Sequence, residues 1–222
     1  MTLLRYLVII SACIQLSACA HDTNFEPEKK ELSKKREPRT FDILGNTDGE
    51  NEINYDKYAA ATRFSDETYK VRGQTYSPVI NINYSESGTA SWYGGKFHGR
   101  KTSSGVVFDK NLYTAAHRTL PIPSVVRVVN LDNHRSALVV INDRGPFKGG
   151  KKRIIDLSKK AAEHLGMMQQ GVGRVKVEYL YDDTKQLLAK LSTEERGKAM
   201  AAYQHALTTQ MAKNDLSKKH RS

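Results

Sequence analysis

The chain has 222 residues, 39% of them hydrophobic, and its 35 Lys and Arg outnumber 24 Asp and Glu to give a formal charge of +11. A segment of about 110 residues is enough for one core, and the polar remainder excludes a second. Both cysteines, Cys13 and Cys19, fall within or at the end of an apolar leader, which excludes a disulfide framework, a Cys-ligated metal and a Cys nucleophile from the mature chain.

Residues 1–18 read as a secretory signal. Arg5 is the only charge, and the mostly apolar stretch 6–16 is too short to span a bilayer. It ends in Leu16-Ser17-Ala18-Cys19, which looks like a bacterial lipobox, a small-residue cleavage site directly before a cysteine that receives acyl chains. The expectation is lipidation at Cys19, an anchor that needs no transmembrane helix. Ala20, rather than Asp, follows the cysteine, as in lipoproteins passed on to the outer membrane of a Gram-negative cell, facing the periplasm. Export also argues against nucleic acid as the partner of a basic domain.

Residues 19–68 continue as a tether. Between 20 and 68 there are 8 basic and 12 acidic residues and few apolar ones, the composition of a disordered linker, with a short helix near 56–61 as a minor feature. Residues 69–181 differ sharply. They hold 18 Lys and Arg against 7 Asp and Glu, so this segment alone carries a charge of +11. Strand-like runs occur at 125–130, 137–142 and 174–180, the last alternating cleanly. Residues 158–165 read as a short helix with Ser158 as N-cap and Gly166 just past its end. Many short strands and one helix point to a small β-barrel. Asn142-Asp143-Arg144-Gly145-Pro146 follows the apolar run Ala137-Leu-Val-Val-Ile141, a position where a buried strand can hold a carboxylate rigidly at the lip of a groove. Residues 182–222 form a polar helical pattern with a basic end, read as a solvated appendage.

The ordered motifs YKVRGQTYSP (69–78), GTASWYG (88–94), FHGRKTSSG (97–105), TAAHRTLPIPS (114–124), VVINDRGPF (139–147) and RIIDLSKKAAEHLG (153–166) resemble the rare lipoprotein A (RlpA) family over about half of the chain. The resemblance implies an all-β fold, a six-stranded double-psi β-barrel with one or two short helices. It also implies a lytic transglycosylase, a lyase that cuts peptidoglycan between MurNAc and GlcNAc and leaves anhydro-MurNAc ends. The family pattern often closes with a SPOR domain that binds denuded glycan strands. Residues 182–222 lack that pattern, so septal targeting is not carried over.

In the resemblance Asp143 matches the Asp of the NDRGP motif, a catalytic candidate whose alternative is a turn-forming Asp bonded to backbone amides, and His117 matches a second candidate that would orient Asp143 or contact the sugar. A lone His in an apolar stretch is more often a satisfied core residue. Trp92, Tyr93 and Phe97 supply flat faces for stacking on pyranose rings, and Thr102, Arg118 and Arg144 complete the expected substrate-binding set. Arg100, Lys101 and residues 151–153 add positive charge that suits the carboxylates of stem peptides and lactyl groups. Of the other acids, Glu163 reads as solvated, Glu178 as lying on the outer face of the alternating last strand, Asp132 as a turn residue, Glu86 as a loop residue and Asp156 as a partner of the helix N-terminus. Asp109 would need a different backbone path to act as a second carboxylate. The departure is Val106, where relatives carry a Glu lining the groove. Val cannot donate a proton or stabilise positive charge, so the usual two-carboxylate hydrolysis is disfavoured. A lytic transglycosylase uses the sugar's own 6-hydroxyl and works with one acid/base. The alternative is a catalytically impaired lipoprotein that binds glycan strands. A third role is recruitment of an envelope or division protein through 182–222. No cofactor or metal is expected, because His98 and His117 lack partners at ligand spacing.

Overall fold

The computed structural model describes residues 51–60 and 62–219. The leader 1–18, Cys19 and the tether as far as residue 50 lie outside the described residues. A hairpin of β1 (Tyr69–Val71) and β2 (Gln74–Tyr76) precedes six longer strands: β3 (Ser85–Trp92), β4 (Thr114–His117), β5 (Ser124–Asn130), β6 (Ser136–Asp143), β7 (Arg153–Leu157) and β8 (Val172–Tyr179). These six close into a barrel in the order β3-β7-β4-β6-β5-β8. Within it β3 pairs with β7 and β4 with β6 in parallel, and all other neighbours are antiparallel. This is the expected double-psi barrel, and closure leaves the six strands without a free edge.

The strands form where the sequence is richest in β-branched residues. β5, Ser-Val-Val-Arg-Val-Val-Asn, is buried everywhere except Arg127, and β6 is buried over Val139, Val140 and Ile141. Near-continuous apolar runs of this kind need cover on both faces. One face fills the barrel and the other lies beneath flanking segments. A helix α2 (Lys159–His164) begins where expected: Ser158 accepts a hydrogen bond from the Ala161 amide at 3.2 Å. Its end is a Schellman turn. Gly166 has φ +71°, its amide donates to Glu163 at 3.1 Å and that of Met167 to Ala162 at 2.9 Å.

Two expectations change. Residues 51–68 are part of the folded body rather than a free linker. Asn51 exchanges two 2.9 Å hydrogen bonds with the Leu138 backbone, Ile53 and Ala59 are buried, and a helix α1 (Tyr55–Ala59) is capped by Asn54. The tail is helical, as expected, but its helices α3 (Tyr181–Ala189) and α4 (Thr193–Lys219) are no solvated appendage over their first turns. Leu187, Leu188, Leu191, Ala199 and Tyr203 join the core, each aliphatic Leu worth roughly 1.5–3 kcal/mol on burial. Thr184 of α3 accepts from the Val125 amide at 2.9 Å, and the Tyr179 and Tyr203 hydroxyls meet at 2.5 Å. A few apolar residues at helical spacing suffice because they extend an existing core instead of building a new one.

Candidate active site

β4 and β6 shift register: Ala115 lies opposite Ile141, but Ala116 lies opposite Asp143. The extra residue, Asn142, makes a bulge that sets Asp143 in the row where Asn142 would otherwise stand. Beyond it, Gly145 has φ +140°, a conformation open to glycine and strained for other residues.

Asp143 is half-buried and its carboxylate is held from three sides. Oδ1 accepts from the Ser103 amide (2.9 Å), the Ser103 hydroxyl (2.7 Å) and the Arg144 amide (2.8 Å). Oδ2 accepts from the Tyr93 hydroxyl at 3.1 Å. Tyr93 is supplied by the end of β3, where its amide donates to Leu157 at 2.8 Å, and its ring packs between Phe97 (5.4 Å) and Phe108 (5.0 Å). Burial first, then the neighbouring Asp143 and Asp156, raise the Tyr93 pKa well above that of a free phenol. It therefore stays a hydroxyl donor at any ordinary pH.

Ser103 comes from a tight loop. The Thr102 amide donates to the Val106 carbonyl at 2.8 Å, and the Gly105 amide to Thr102 at 3.0 Å. The Thr102 hydroxyl is consumed inside this loop, 2.9 Å from the Ser104 hydroxyl and 3.1 Å from the Val106 carbonyl. Thr102 thus shapes the loop and is itself buried. The Val106 side chain is half-buried and brings no charge.

His117 does not bond Asp143. Nδ1 accepts from the amides of Thr119 (3.2 Å) and Leu120 (3.0 Å), which leaves the proton of the neutral ring on Nε2, 2.9 Å from the Tyr84 hydroxyl. Tyr84 in turn donates to Glu86 at 2.7 Å. Burial, reinforced by Arg118 and Arg144, pushes the His117 pKa down to about 3. The ring is a buried, neutral staple of the 117–120 turn.

The two arginines are also braces. Arg118 donates to the carbonyls of Pro146 (3.1 Å), Arg153 (2.8 Å) and Lys151 (3.2 Å), gathering the loop between β6 and β7. Arg144 donates to the carbonyls of Leu120 and Ser65 and lies 5.3 Å from the centre of the Tyr69 ring. Trp92 packs partly against the core. Phe97 is half-buried, with Lys96 Nζ at 5.6 Å and the Arg100 guanidinium at 6.0 Å from its ring centre.

Among the remaining acids, Asp156 does not serve the helix N-terminus. It accepts from Ser91 at 2.5 Å and pairs with Arg153 at 3.1 Å. Glu178 is buried, not on an outer face, and pairs with Lys176 at 2.8 Å. Asp109 caps its own turn through the Asn111 amide (2.9 Å) and lies 3.7 Å from His98. Asp132 is bound by Arg174 at 2.6 Å. The structure therefore joins Asp143, Tyr93 and Phe97 in one cluster. It adds Ser103, which sequence reasoning missed because its contact spans 40 residues and a serine in a turn carries no signal of it.

A family described as "Lytic transglycolase" matches residues 85–177. The chain is 38% identical over 225 residues to the endolytic peptidoglycan transglycosylase RlpA of Rickettsia typhi, covering 96% of this chain and 63% of that protein. It is 39% identical over 192 residues to the same-named protein of Rickettsia bellii, covering 85% and 78%. With that of Neisseria meningitidis serogroup A it shares 53% over 124 residues, covering 55% and 49%. The chain thus spans just under two thirds of the first of these relatives and about half of the last. Among solved structures, Streptomyces papain inhibitor is similar with a TM-score of 0.38 and 21% identity, over 46% of this chain and 98% of that one.

Proposed function

The chain belongs to the RlpA family, and on that premise we propose that it is an endolytic transglycosylase that cuts peptidoglycan glycan strands between MurNAc and GlcNAc, with Asp143 as acid/base. The observation that carries this reading is the grip on Asp143: three donors on Oδ1 and one hydroxyl on Oδ2, on a side chain still partly open to solvent. Because Oδ1 is saturated, the proton passed to the leaving glycosidic oxygen comes from Oδ2. Tyr93 positions that oxygen without competing for the proton. As the bond from MurNAc C1 to the GlcNAc oxygen breaks, Oδ2 protonates that oxygen. The same oxygen of Asp143 then takes the proton of the MurNAc 6-hydroxyl as it closes on C1. The proton returns to Asp143 and no water is consumed, so a single carboxyl suffices.

Within this reading Phe97 and the exposed Lys96 and Arg100 beside it meet the sugar and its acidic substituents. Thr102, Arg118 and Arg144 hold the walls, and His117 holds the turn behind them. Val106 favours a second reading, a glycan-binding lipoprotein with an impaired site. Purified glycan strands incubated with the protein and with Asp143→Asn separate the two. Anhydro-MurNAc ends released by the parent and reduced at least a hundredfold in the variant support the enzyme. Strands retained by immobilised protein without release support the binder.

The proposal includes a lipid on Cys19 and an outer-membrane position facing the periplasm, supported by Leu16-Ser17-Ala18-Cys19 and Ala20. Labelled palmitate should enter the parent and not Cys19→Ala; incorporation in both would remove this part. An envelope or division protein recruited through 182–222 would meet exposed α4 residues such as Met200, His205 and Met211, since Leu187, Leu188, Leu191, Ala199 and Tyr203 are spent on the core.

A further inference from the structure

We propose that Glu195, in the first turn of α4, is a positioning residue for Asp143 that acts through the arm segment 63–65; this rests on the reading of Asp143 as the acid/base.

The segment joins the tail to both loops that grip the carboxylate. Glu195 Oε2 accepts from the Phe64 amide at 2.8 Å. On one side of Phe64, the Arg63 amide donates to the Ser104 carbonyl at 3.1 Å, inside the loop that presents Ser103. On the other side, the Ser65 carbonyl accepts from Arg144 Nη2 at 2.9 Å. Ser103 and Arg144 together supply all three hydrogen bonds to Asp143 Oδ1. Ser65 also makes a reciprocal backbone pair with Ile122, at 2.8 and 3.0 Å. The arm therefore behaves as a single extended residue pair: one edge is bonded to the barrel through Ser65, and the Phe64 amide is left for an acceptor supplied by α4.

Glu195 is suited to that task and to little else. Its side chain is only 17% exposed, and its other oxygen lies 3.6 Å from Lys198. The preceding Glu194 is 76% exposed and binds only Lys198, at 2.7 Å, among the described partners. Both acids sit where the helix dipole favours negative charge, so Glu194 controls for that effect. Without Glu195 a partly buried amide has no acceptor. The arm then loses its fixed height, and the Ser104 and Arg144 contacts shift with it. Displacement of a reacting group by a fraction of an ångström lowers turnover more than binding.

The test uses the full chain carrying Glu195→Ala, Glu195→Gln or Glu194→Ala. Two quantities are read: kcat and KM on purified glycan strands, and the NMR amide signals of Ser103 and Arg144. Glu195→Ala should lower kcat about tenfold with KM within about twofold and move both amide signals. Glu195→Gln keeps a carbonyl oxygen for Phe64 and should restore both; Glu194→Ala should change neither. Should Glu195→Ala fail to fold, Glu195→Asp, one methylene shorter, carries the same expectations. Parental signals and kcat in the Ala or Asp variant, no restoration by Gln, or equal effects in Glu194→Ala would overturn the proposal. If the parent itself releases no anhydro ends, the acid/base reading fails, and the amide signals alone then decide whether Glu195 sets the geometry at Asp143.

Discussion

Asp143 and His117 stand on neighbouring strands, yet only Asp143 is partly open to a substrate, while His117 is 3% exposed. Burial separates their roles. Both His117 nitrogens are occupied, and its pKa of about 3 keeps the ring neutral at neutral pH. The linkage to stability has a definite sign. In the unfolded chain the ring takes up a proton as pH falls through its ordinary 6.5, whereas the folded chain refuses it until about 3. Between those values the unfolded state binds more protons, so stability present at neutral pH is lost as pH falls below 6.5, by about 1.4 kcal/mol per unit. Urea unfolding at pH 7 and pH 5 should show the parent losing about 2 kcal/mol more than His117→Gln. Equal losses in the two proteins would mean the ring is not held neutral. At this scale the sequence was a partial guide. Asp143 stood out because an acid between Asn and Arg leaves an apolar run. Its holders did not, because Ser103 and Tyr93 reach it from 40 and 50 residues away. The same distance hides the bracing role of Arg118 and Arg144, which look like free cations in the chain.

Elements divide into those whose signals are local and those whose burial depends on a neighbour. Strands β5, β6 and β8 and helix α2 belong to the first group: their apolar runs, Ser158 and Gly166 are visible in the chain, and each forms within a residue or two of its expected limits. Which strands pair in parallel, and the bulge at Asn142, depend on closure of the barrel and leave no local trace in the chain. Residues 51–65 and the tail belong to the second group. Their polar composition resembles that of solvated segments, but Ile53, Leu187, Leu191 and Tyr203 find a ready apolar surface, and Asn51, Thr184 and Glu195 satisfy backbone groups of the barrel and arm. A tail that is part of the core melts with it. Leu187→Ala, at a fully buried site, should destabilise the protein by about 2–5 kcal/mol and lower one common transition. A separate early transition of the tail, with the barrel unchanged, would show that α3 and α4 are appendages after all.

For the whole molecule, the closed barrel presents one face of chemistry on a strongly basic body. The 18 Lys and Arg of residues 69–181 face 7 acids, several of which are consumed in pairs such as Arg153–Asp156, Lys159–Glu163, Arg174–Asp132 and Lys176–Glu178. The surplus, including the exposed Lys96, Arg100, Lys101, Lys151 and Lys152, suits an anionic polymer. Val106 brings no carboxylate to the loop that grips Asp143, and the proposed chemistry needs none there: the attacking oxygen belongs to the sugar. Cleavage of purified glycan strands in water enriched in oxygen-18 tests this most directly. New ends that are anhydro-MurNAc and carry no label are the predicted result. Labelled reducing ends would mean that water attacks, and would contradict the single-carboxyl route through Asp143.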